Sequence, residues 1–293
     1  MTHSNHTPGK TPAKSDQVRQ LTLEDFQKFR EYFYRKTGIF FEDNKRYFVD
    51  KRIIERMELN HSSSFREYFT LLRFQASSEE MQALTNLMTV NETYFFREEY
   101  QFKCLVNSVL PEIVKNRATD KAIRIWSMPS SSGEEPYSIA IYLTEFWRDI
   151  ERFDVELLAS DIDTRILDAA RQGIYSKRAV QHLPDHILNR YFARCGTDSF
   201  QLGEDMRQSV EFTQCNLHEL RTGGRYSKFD VIFCRNLLIY FDDVSRRRAA
   251  ETFYEALNPG GFICLGHSES MSRISSLFRI RRFADAIIYQ KPF

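Results

Sequence analysis

The sequence predicts an α/β fold, a doubly wound and mostly parallel sheet that follows a small all-α domain. Residues 122–143 begin with an apolar run of strand type, turn through small residues, and continue with apolar residues at helical spacing. Strand, tight turn and helix in this order are the first unit of a doubly wound sheet. Residues 229–234 have the apolar composition of a strand buried on both faces. The first 90 residues, in contrast, show helical spacing and no strand pattern.

Composition limits the classes of function. The chain has 293 residues, 42% of them hydrophobic, which is ample for a buried core in one large domain or two. A net charge of +1 gives no overall field for nucleic acid or a membrane surface. The five cysteines are scattered without a C-x-x-C pair, and no apolar run reaches about 18 residues. With an N-terminus that lacks a signal-peptide core, these features predict a cytoplasmic protein without membrane insertion.

The chain divides into four expected segments. Residues near the N-terminus are rich in Thr, Ser, Pro and Lys, a composition that favours disorder. The first helix should begin with a capping box at Thr22, three residues before Asp25, and end at Gly38. The segments are a disordered tail at 1–20, a helical domain at 21–90, a linker with a ligand-contacting motif at 91–120, and the sheet domain at 121–293.

The second predicted helix, at about residues 44–59, is basic, because its five cations outnumber its three acids and leave a charge of +2. Such a run is most simply a solvated helix face. It can also be a docking surface for an acidic partner, and the residues alone leave both interpretations open. The cations are Lys45, Arg46, Lys51, Arg52 and Arg56, and the acids are Asp50, Glu55 and Glu58.

The turn after the first strand of the sheet predicts the charge of a ligand. Glu134 and Glu135 open the following helix, where acidic side chains suit the helix dipole and favour a cationic ligand over a phosphate. The turn contains one glycine, Gly133, and no G-x-G-x-x-G pattern, which disfavours a dinucleotide.

Two aspartates follow the second predicted strand, at about residues 155–159. Asp161 stands where an acid can accept hydrogen bonds from both ribose hydroxyls of a nucleoside ligand. Asp163 directly precedes a helix at about residues 165–171 and is expected to cap it.

Between residues 173 and 210 the alternation of strand and helix breaks. Residues 199–202 and 209–212 indicate a short β-hairpin around Gly203, which would place a small antiparallel β-subdomain at about residues 175–213. Further on, Asp243 is expected to cap the helix that follows the buried strand.

A metal site is not predicted. His182 and His186 are four residues apart and could share a helix face, but Pro184 between them weakens a helix. Neither a third ligand nearby nor an H-E-x-x-H pattern accompanies them.

Four short motifs carry a family resemblance. They are NETYFFR at 91–97, SGEEPYS at 132–138, SDID at 160–163 and CRNLLIYF at 234–241. In sequence and order they resemble the CheR family, bacterial chemotaxis methyltransferases that move a methyl group from S-adenosylmethionine (SAM) to glutamates of chemoreceptors. The resemblance extends from about residue 22 to the C-terminus.

The resemblance implies a SAM-methyltransferase sheet with an N-terminal all-α domain and a small antiparallel β-subdomain insertion. SAM would be the cofactor and S-adenosylhomocysteine the product. Arg97 and Tyr240 match catalytic positions: Arg97 would orient the attacking carboxylate or the methionyl carboxylate of SAM, and Tyr240 would line the methyl path. The positions that match cofactor-binding ones are Asn91, Thr93, Arg97, Glu135, Asp161, Asn216, Leu217, Arg235 and Asn236.

The resemblance also implies a partner. The family's basic helix faces the acidic helical bundle of the receptor, which favours docking through Lys51, Arg52 and Arg56. Some members also bind a pentapeptide at the receptor's C-terminus by adding it as a strand to the β-subdomain. Residues 192–210 are shorter than in those members, with Gly203 the only glycine of the presumed turn, which predicts that this chain binds no such peptide.

One departure from the family pattern keeps two alternatives open. Met128-Pro129 stands where small residues are usual, and proline lacks a backbone donor, so the loop is expected to meet the methionyl part of SAM differently. This departure supports a degenerate SAM-binding signalling module, which Arg97 and Tyr240 oppose. The other alternative is a SAM-dependent methyltransferase of small molecules or nucleic acid, and the absence of a basic stripe counts against nucleic acid.

Overall fold

A computed structural model describes residues 21–74, 78–115 and 119–293 of the chain. The tail predicted at residues 1–20 lies outside these described residues. Within them, no helix combines the length and the apolar composition that crossing a bilayer requires.

Four N-terminal helices form a unit without strands, called the α domain below. They are α1 (Leu23–Thr37), α2 (Arg46–Leu59), α3 (Phe65–Phe74) and α4 (Glu79–Met88). The Thr22 hydroxyl accepts a hydrogen bond from the Asp25 N–H at 3.1 Å, and Gly38 ends α1 with a left-handed φ of 74°. Both ends of the first helix therefore agree with the sequence.

A segmented helix joins the α domain to the sheet. It consists of α5 (Glu99–Cys104), a π-helical turn at Leu105–Val109 and α6 (Leu110–Val114). The Phe102 ring of α5 lies 5.9 Å from the Phe233 ring, centroid to centroid, so this helix packs directly on the sheet.

Seven strands form the main sheet. The strands of the described chain are β1 (Ile123–Ser127), β2 (Val155–Asp161), β3 (Ile174–Ser176), β4 (Phe192–Arg194), β5 (Ser199–Leu202), β6 (Val210–Gln214), β7 (Phe229–Cys234), β8 (Leu257–Leu265), β9 (Arg279–Arg282) and β10 (Ile287–Gln290). The order in the main sheet is β6-β2-β1-β7-β8-β10-β9, and its first five strands run parallel. Because Ser127 pairs with Phe233 and Asp161 with Gln214, the carboxyl ends of these strands meet along one edge.

The main sheet is buried on both faces. Ile125 and Phe233 point into one apolar cluster, while their neighbours Trp126 and Ile232 point into the other, as strand geometry requires. The covering helices include α7 (Glu134–Phe146), α8 (Thr164–Gln172) and α12 (Asp243–Ala256). The edge that carries the loops is therefore anchored in a core closed on both sides.

The small antiparallel sheet is present, but the predicted hairpin of residues 199–202 and 209–212 is wrong. The order β3-β5-β4 shows that β5 pairs with strands that precede it, and β6 instead joins the main sheet parallel to β2. Gly203 precedes a helix and makes no hairpin turn. The small sheet thus spans residues 174–202. It ends earlier in the chain than the subdomain expected at about residues 175–213. Its region also contains α9 (Lys177–Val180), α10 (Asp185–Tyr191) and α11 (Glu204–Gln208).

The α domain is tied to the sheet domain by polar contacts. The Thr89 hydroxyl donates to Asp163 Oδ2 at 2.7 Å, and the Tyr34 hydroxyl donates to Asp242 Oδ2 at 2.9 Å. Asp242 also caps α12, with its carboxylate accepting from Ser245 N at 2.8 Å. The prediction that Asp243 caps this helix is therefore wrong by one residue.

Arg56 of α2, predicted to face a partner, is held inside the α domain. Its Nε donates to Glu80 Oε1 at 2.9 Å and its Nη2 to Glu80 Oε2 at 2.5 Å. Glu80 is only 4% exposed and also accepts from the Tyr68 hydroxyl at 2.7 Å. A bidentate pair with a buried acid gives Arg56 a structural role.

Arg52 is also engaged within the α domain, which leaves Lys51 as the exposed cation of the predicted trio. The Arg52 guanidinium stacks on the Phe48 ring, 3.4 Å from its centroid, and Nε donates to the Leu87 carbonyl at 2.6 Å. The charge of +2 that the sequence gives for this helix thus overstates the charge that α2 presents to a partner.

The Arg56–Glu80 pair leads to a prediction about stability. Arg56→Ala should lower the free energy of unfolding by about 3 kcal/mol, because it removes the cation that neutralises a buried carboxylate. Urea unfolding followed by circular dichroism measures the change. Lys51→Ala, on the exposed face of the same helix, is the matched control and should cost less than about 0.5 kcal/mol. Equal stability of the two variants would contradict the structural role of Arg56.

Candidate active site

The candidate active site is a cleft at the carboxyl edge of the main sheet. Loops that follow β1, β2, β6 and β7 form one side, and residues at the ends of α1 and α4 form the other. A first cavity of about 490 Å³ and a second of about 410 Å³ adjoin within the cleft. Open α/β sheets bind ligands at this edge. Both cavities are lined by Val90, Asn91, Pro129, Asn236, Ile239 and Tyr240.

All ten residues predicted as catalytic or cofactor-binding line this cleft, although they come from five separate parts of the chain. The first cavity is lined by Asn91, Thr93, Arg97, Glu135, Arg235, Asn236 and Tyr240. The second is lined by Asn91, Asp161, Asn216, Leu217, Asn236 and Tyr240.

Asp161 lies at the end of β2 with its carboxylate already engaged. Its Oδ2 accepts from Ser131 N at 2.9 Å and its Oδ1 from Asp163 N at 3.0 Å. The residue is 2% exposed, and this burial raises the pKa of the carboxyl to about 6. Each carboxylate oxygen has two acceptor sites, so Asp161 can still accept from a ligand in the second cavity.

Asp163 caps α8, as the sequence predicts. Its Oδ1 accepts from Arg165 N at 2.9 Å and from Ile166 N at 3.2 Å. Its other oxygen accepts from Asn91 Nδ2 at 3.2 Å, so the Asn91 amide is fixed at the wall of the cleft.

A buried charge cluster lies beneath the first cavity. The Arg235 side chain is 3% exposed, and its Nη1 donates to Glu135 Oε2 at 3.1 Å while its Nη2 lies 3.3 Å from Glu98 Oε2. Glu135 also accepts from the Ser127 hydroxyl at 2.8 Å. Burial raises the pKa of Glu135, an effect that Arg235 opposes. Two acids share one guanidinium, so the ionised cluster carries an excess negative charge.

Glu134 adds a second buried acid to the wall of the first cavity. It is 4% exposed, accepts from the Ser132 hydroxyl at 2.6 Å, and has its pKa raised by burial. The excess acid agrees with the cationic ligand that the first turn of α7 predicts.

Arg97 and Tyr240 meet across the first cavity. Arg97 Nη1 donates to the Glu92 carbonyl at 3.0 Å, and its guanidinium carbon lies 5.9 Å from the centre of the Tyr94 ring. Tyr240 is partly buried, which raises the pKa of its hydroxyl, while the nearby Arg97 cation opposes that rise. Among the described residues, neither a carboxylate pairs with Arg97 nor a side chain bonds the Tyr240 hydroxyl.

Asn216 and Leu217 follow β6 and close the far end of the second cavity. The Asn216 amide donates to the Lys36 carbonyl at 2.7 Å, and its Oδ1 accepts from His218 N at 3.1 Å. Leu217 is 4% exposed and packs into the sheet cluster. Since the Asn216 side chain is tied to the end of α1, this loop depends on the α domain for its position.

The Met128-Pro129 loop makes its hydrogen bonds within the chain. Met128 is 3% exposed and packs beside Trp126, and the peptide bond to Pro129 is cis. The Met128 N–H donates to the Phe233 carbonyl at 2.9 Å and the Ser130 N–H to the Ser160 carbonyl at 2.8 Å. These N–H groups are not available as a phosphate cradle, which agrees with the lack of a glycine-rich motif.

Two acids at the site were missed by the sequence analysis. Glu98 accepts from His267 Nδ1 at 3.0 Å besides lying near Arg235, and although burial acts to raise its pKa, these partners hold it below the usual value. Glu269 accepts from two backbone N–H groups of the loop after β7, those of Asn236 and Leu238, and from the Gly266 N–H at the end of β8. Glu98 directly follows the NETYFFR motif, and Glu269 follows the end of β8. These positions are the features of the sequence that could have identified the two acids as site residues.

His182, one of the two histidines considered as metal ligands, packs against Tyr94, with tilted rings whose centroids are 4.9 Å apart. The part of the chain that the structure describes contains no group of three or more metal-ligating side chains.

Comparisons with known proteins agree with this geometry. Residues 24–89 match the family described as "CheR methyltransferase, all-alpha domain", and residues 91–287 match "CheR methyltransferase, SAM binding domain". Chemotaxis protein methyltransferase 2 of Vibrio cholerae serotype O1 is 60% identical over 272 residues, which cover 93% of this chain and 94% of that protein. A protein of the same name in Pseudomonas aeruginosa is 40% identical, over 92% of this chain and 94% of its own length. The chemotaxis protein methyltransferase of Escherichia coli K12 is 34% identical, with coverages of 93% and 94%. The chain therefore belongs to the CheR family of SAM-binding methyltransferases.

Proposed function

We propose that this chain transfers the methyl group of SAM to glutamate side chains in the cytoplasmic helical bundle of chemoreceptors, forming methyl esters during chemotactic adaptation. The observation that carries the proposal is the meeting of Arg97, Tyr240 and the acidic Glu135 cluster at one cavity. Arg97 pairs with no carboxylate of the described residues, and an arginine of this kind beside excess acid suits a reaction between an anionic substrate and a cationic donor. The chemotaxis methyltransferases named above are relatives over nearly the whole chain.

The two cavities suit the two ends of SAM. In the second cavity, Asp161 would accept the ribose hydroxyls, with Leu217 and Asn216 bordering the adenine. In the first cavity, Glu135 would face the methionyl ammonium, because the Glu98–Arg235–Glu135 cluster has two carboxylates and only one guanidinium. The remaining contacts would come from Asn91, Thr93, Arg97, Arg235 and Asn236.

The reaction needs positioning more than proton transfer. SAM supplies an electrophilic methyl group: a substrate carboxylate oxygen bonds to its carbon, and the pair of the broken carbon–sulfur bond stays on sulfur. A glutamate, whose ordinary pKa is about 4.3, is ionised at neutral pH and needs no general base. Arg97 would attract and orient that carboxylate, and the Tyr240 ring face would border the methyl path.

The receptor would reach the cleft from the α domain. Lys51 is the exposed cation of α2, and Arg52 is partly exposed, so these residues can face an acidic helix while Arg56 supports the domain from inside. Four residues, 195–198, connect β4 with β5, and Gly196 is among them. Because this connection is short, we propose that no receptor C-terminal pentapeptide binds the small sheet.

The first prediction from this proposal concerns Asp161. Asp161→Asn keeps the volume of the side chain but should weaken SAM binding by about 1.5–3 kcal/mol, the range for hydrogen bonds to a charged group. Calorimetry measures the affinity, and thermal unfolding checks that the variant is folded. Unchanged affinity in a folded variant would assign Asp161 to loop structure alone.

The raised pKa of Asp161 also predicts a pH dependence. Ribose hydroxyls that donate to the carboxylate favour its ionised form, so binding should lower the pKa from about 6. SAM affinity should therefore fall as the pH falls through about 6, and Asp161→Asn should flatten that part of the profile. Calorimetry between pH 5 and 8 gives both curves; identical slopes would count against the ribose contact.

The second prediction separates binding from turnover. Arg97→Ala should lower kcat by roughly 100-fold or more, because the incoming carboxylate loses its oriented cation. Arg97→Lys retains the charge without the planar fork and should recover part of that loss. Tyr240→Phe should lower kcat while leaving SAM affinity near that of the wild type. Methyl ester formation on receptor cytoplasmic domains is the assay, and normal rates in all three variants would refute the assignment.

The third prediction tests docking. Lys51→Glu should raise the KM for the receptor by about tenfold and leave SAM affinity unchanged, because like charges would then face each other. Lys28→Glu, also exposed but on α1, is the matched control and should leave KM unchanged. A KM unaffected by Lys51→Glu would place the receptor elsewhere.

A further inference from the structure

Glu269 lies in the loop after β8 and contacts the loop after the neighbouring strand, β7. Its Oε2 accepts from Asn236 N at 2.8 Å and from Gly266 N at 2.9 Å, and its Oε1 accepts from Leu238 N at 2.8 Å. One carboxylate therefore joins the ends of β7 and β8 through three backbone N–H groups. We call this arrangement the Glu269 clamp.

The loop after β7 needs an external acceptor. Asn236 adopts a left-handed φ of 59°, and the chain then makes a single 3-10 turn at Leu238–Tyr240. Neither regular strand nor α-helix is present to satisfy the N–H groups at the start of this turn. A non-glycine residue in the left-handed region costs about 1–3 kcal/mol and persists only where neighbours hold it.

Gly266 lies so close to Glu269 and Asn236 that the clamp leaves no room for a side chain. A Cβ at this position would lie 2.9 Å from Glu269 Oε2, 3.0 Å from Asn236 Nδ2 and 3.1 Å from Asn236 N. Contacts of this length force neighbouring atoms to shift, so the close approach of the two loops requires the absence of a side chain here.

The clamp determines the position of two cleft residues. The clamped segment begins at Asn236 and continues into the 3-10 turn, which ends at Tyr240. Asn236 and Tyr240 each line both cavities. The Tyr240 carbonyl also accepts from Phe40 N at 3.2 Å, so the same turn meets the α domain.

We infer that Glu269 is a positioning residue of the methyl transfer: by holding the backbone from Asn236 to Leu238, it fixes where Tyr240 meets the substrate carboxylate. This inference rests on the proposed function. Among the described residues, the Glu269 carboxylate accepts hydrogen bonds from backbone N–H groups alone and acts through the turn. Asn236 is one of several residues that would bind SAM, whereas Tyr240 is the residue that would border the methyl path, so removal of Glu269 should affect the rate more than the affinity for either substrate.

Glu269→Gln tests the clamp with little change in volume. The introduced amide NH2 would face backbone N–H groups, so at least one of the three hydrogen bonds is lost. We expect kcat for receptor methylation to fall by about 10–100-fold, as for a small misplacement of reacting groups, while KM and SAM affinity change by less than about threefold. Gly266→Ala should give the same split from the other side of the clamp, and the double variant should be no slower than the worse single variant, because both disrupt one unit.

Asp230→Asn is the matched control. Asp230 lies on β7 at the opposite edge of the sheet, is 5% exposed, and accepts from Arg124 N and from Asn258 Nδ2, each at 2.9 Å. The same change of carboxylate to amide should lower thermal stability there without lowering kcat. Wild-type kcat in Glu269→Gln, or a loss of SAM affinity equal to the loss of kcat, would overturn the inference.

Hydrogen exchange separates this inference from the proposed function. Faster amide exchange across residues 236–240 in Glu269→Gln, but not in Asp230→Asn, is expected whether or not the receptor is the substrate. Failure of the wild-type protein to methylate receptor would refute the proposed function alone. Unchanged exchange in Glu269→Gln would refute the clamp alone.

Discussion

Buried carboxylates that bond backbone N–H groups hold the loops of the cleft in place. Loops beyond the ends of parallel strands have no neighbouring strand to satisfy their N–H groups, so another acceptor is required. The Asp161 carboxylate accepts from the backbone N–H groups of Ser131 and Asp163, and the Glu269 carboxylate accepts from the backbone N–H of Asn236. Ser131 and Asn236 both have left-handed backbone conformations, with φ values of 48° and 59°. The shape of the site is thus set by the chain itself, before any ligand arrives.

The α domain is a structural part of this site. Asn86 Nδ2 donates to Thr164 Oγ1 at 2.9 Å, and the Ile39–Phe241 bridge joins the other end of the cleft. Phe40 and Val90 contribute directly to the lining of the second cavity. A chain without these helices would lack one wall of the second cavity, so the two regions matched by separate family descriptions form one cleft.

Local patterns in the sequence predicted the parts of the fold that depend on neighbouring residues. The capping box at Thr22, the cap at Asp163 and the strand–turn–helix unit are set within a few positions. The pairing of β6 is different, because a strand of this composition fits either a hairpin or the edge of a large sheet. Its partner, β2, is about 50 residues away, so only the assembled fold decides between them.

The functional residues also divide into those that a local sequence pattern predicts and those that depend on distant parts of the chain. Four short motifs contain eight of the ten residues that the fold brings to one cleft, and the family resemblance added Asn216 and Leu217; the ligand contacts of all ten remain predictions. The inward direction of Arg56 could not be read from α2, because its partner, Glu80, lies 24 positions further along. Glu269 was missed because a single acid in a serine-containing loop has no local pattern that marks it as an acceptor for another loop.

The burial of Asp161 links the lifetime of the protein to its ligand. Its pKa in the folded chain, about 6, lies above the ordinary value of 3.8, so the folded state holds the proton more tightly and this group's contribution to stability decreases as the pH rises from about 4 to 6. At neutral pH the folded chain therefore keeps an ionised acid away from water. A ligand that binds only the folded chain offsets this cost by mass action. SAM is therefore expected to lower the fraction of chains that are unfolded, and a chain that unfolds less often is less exposed to proteases.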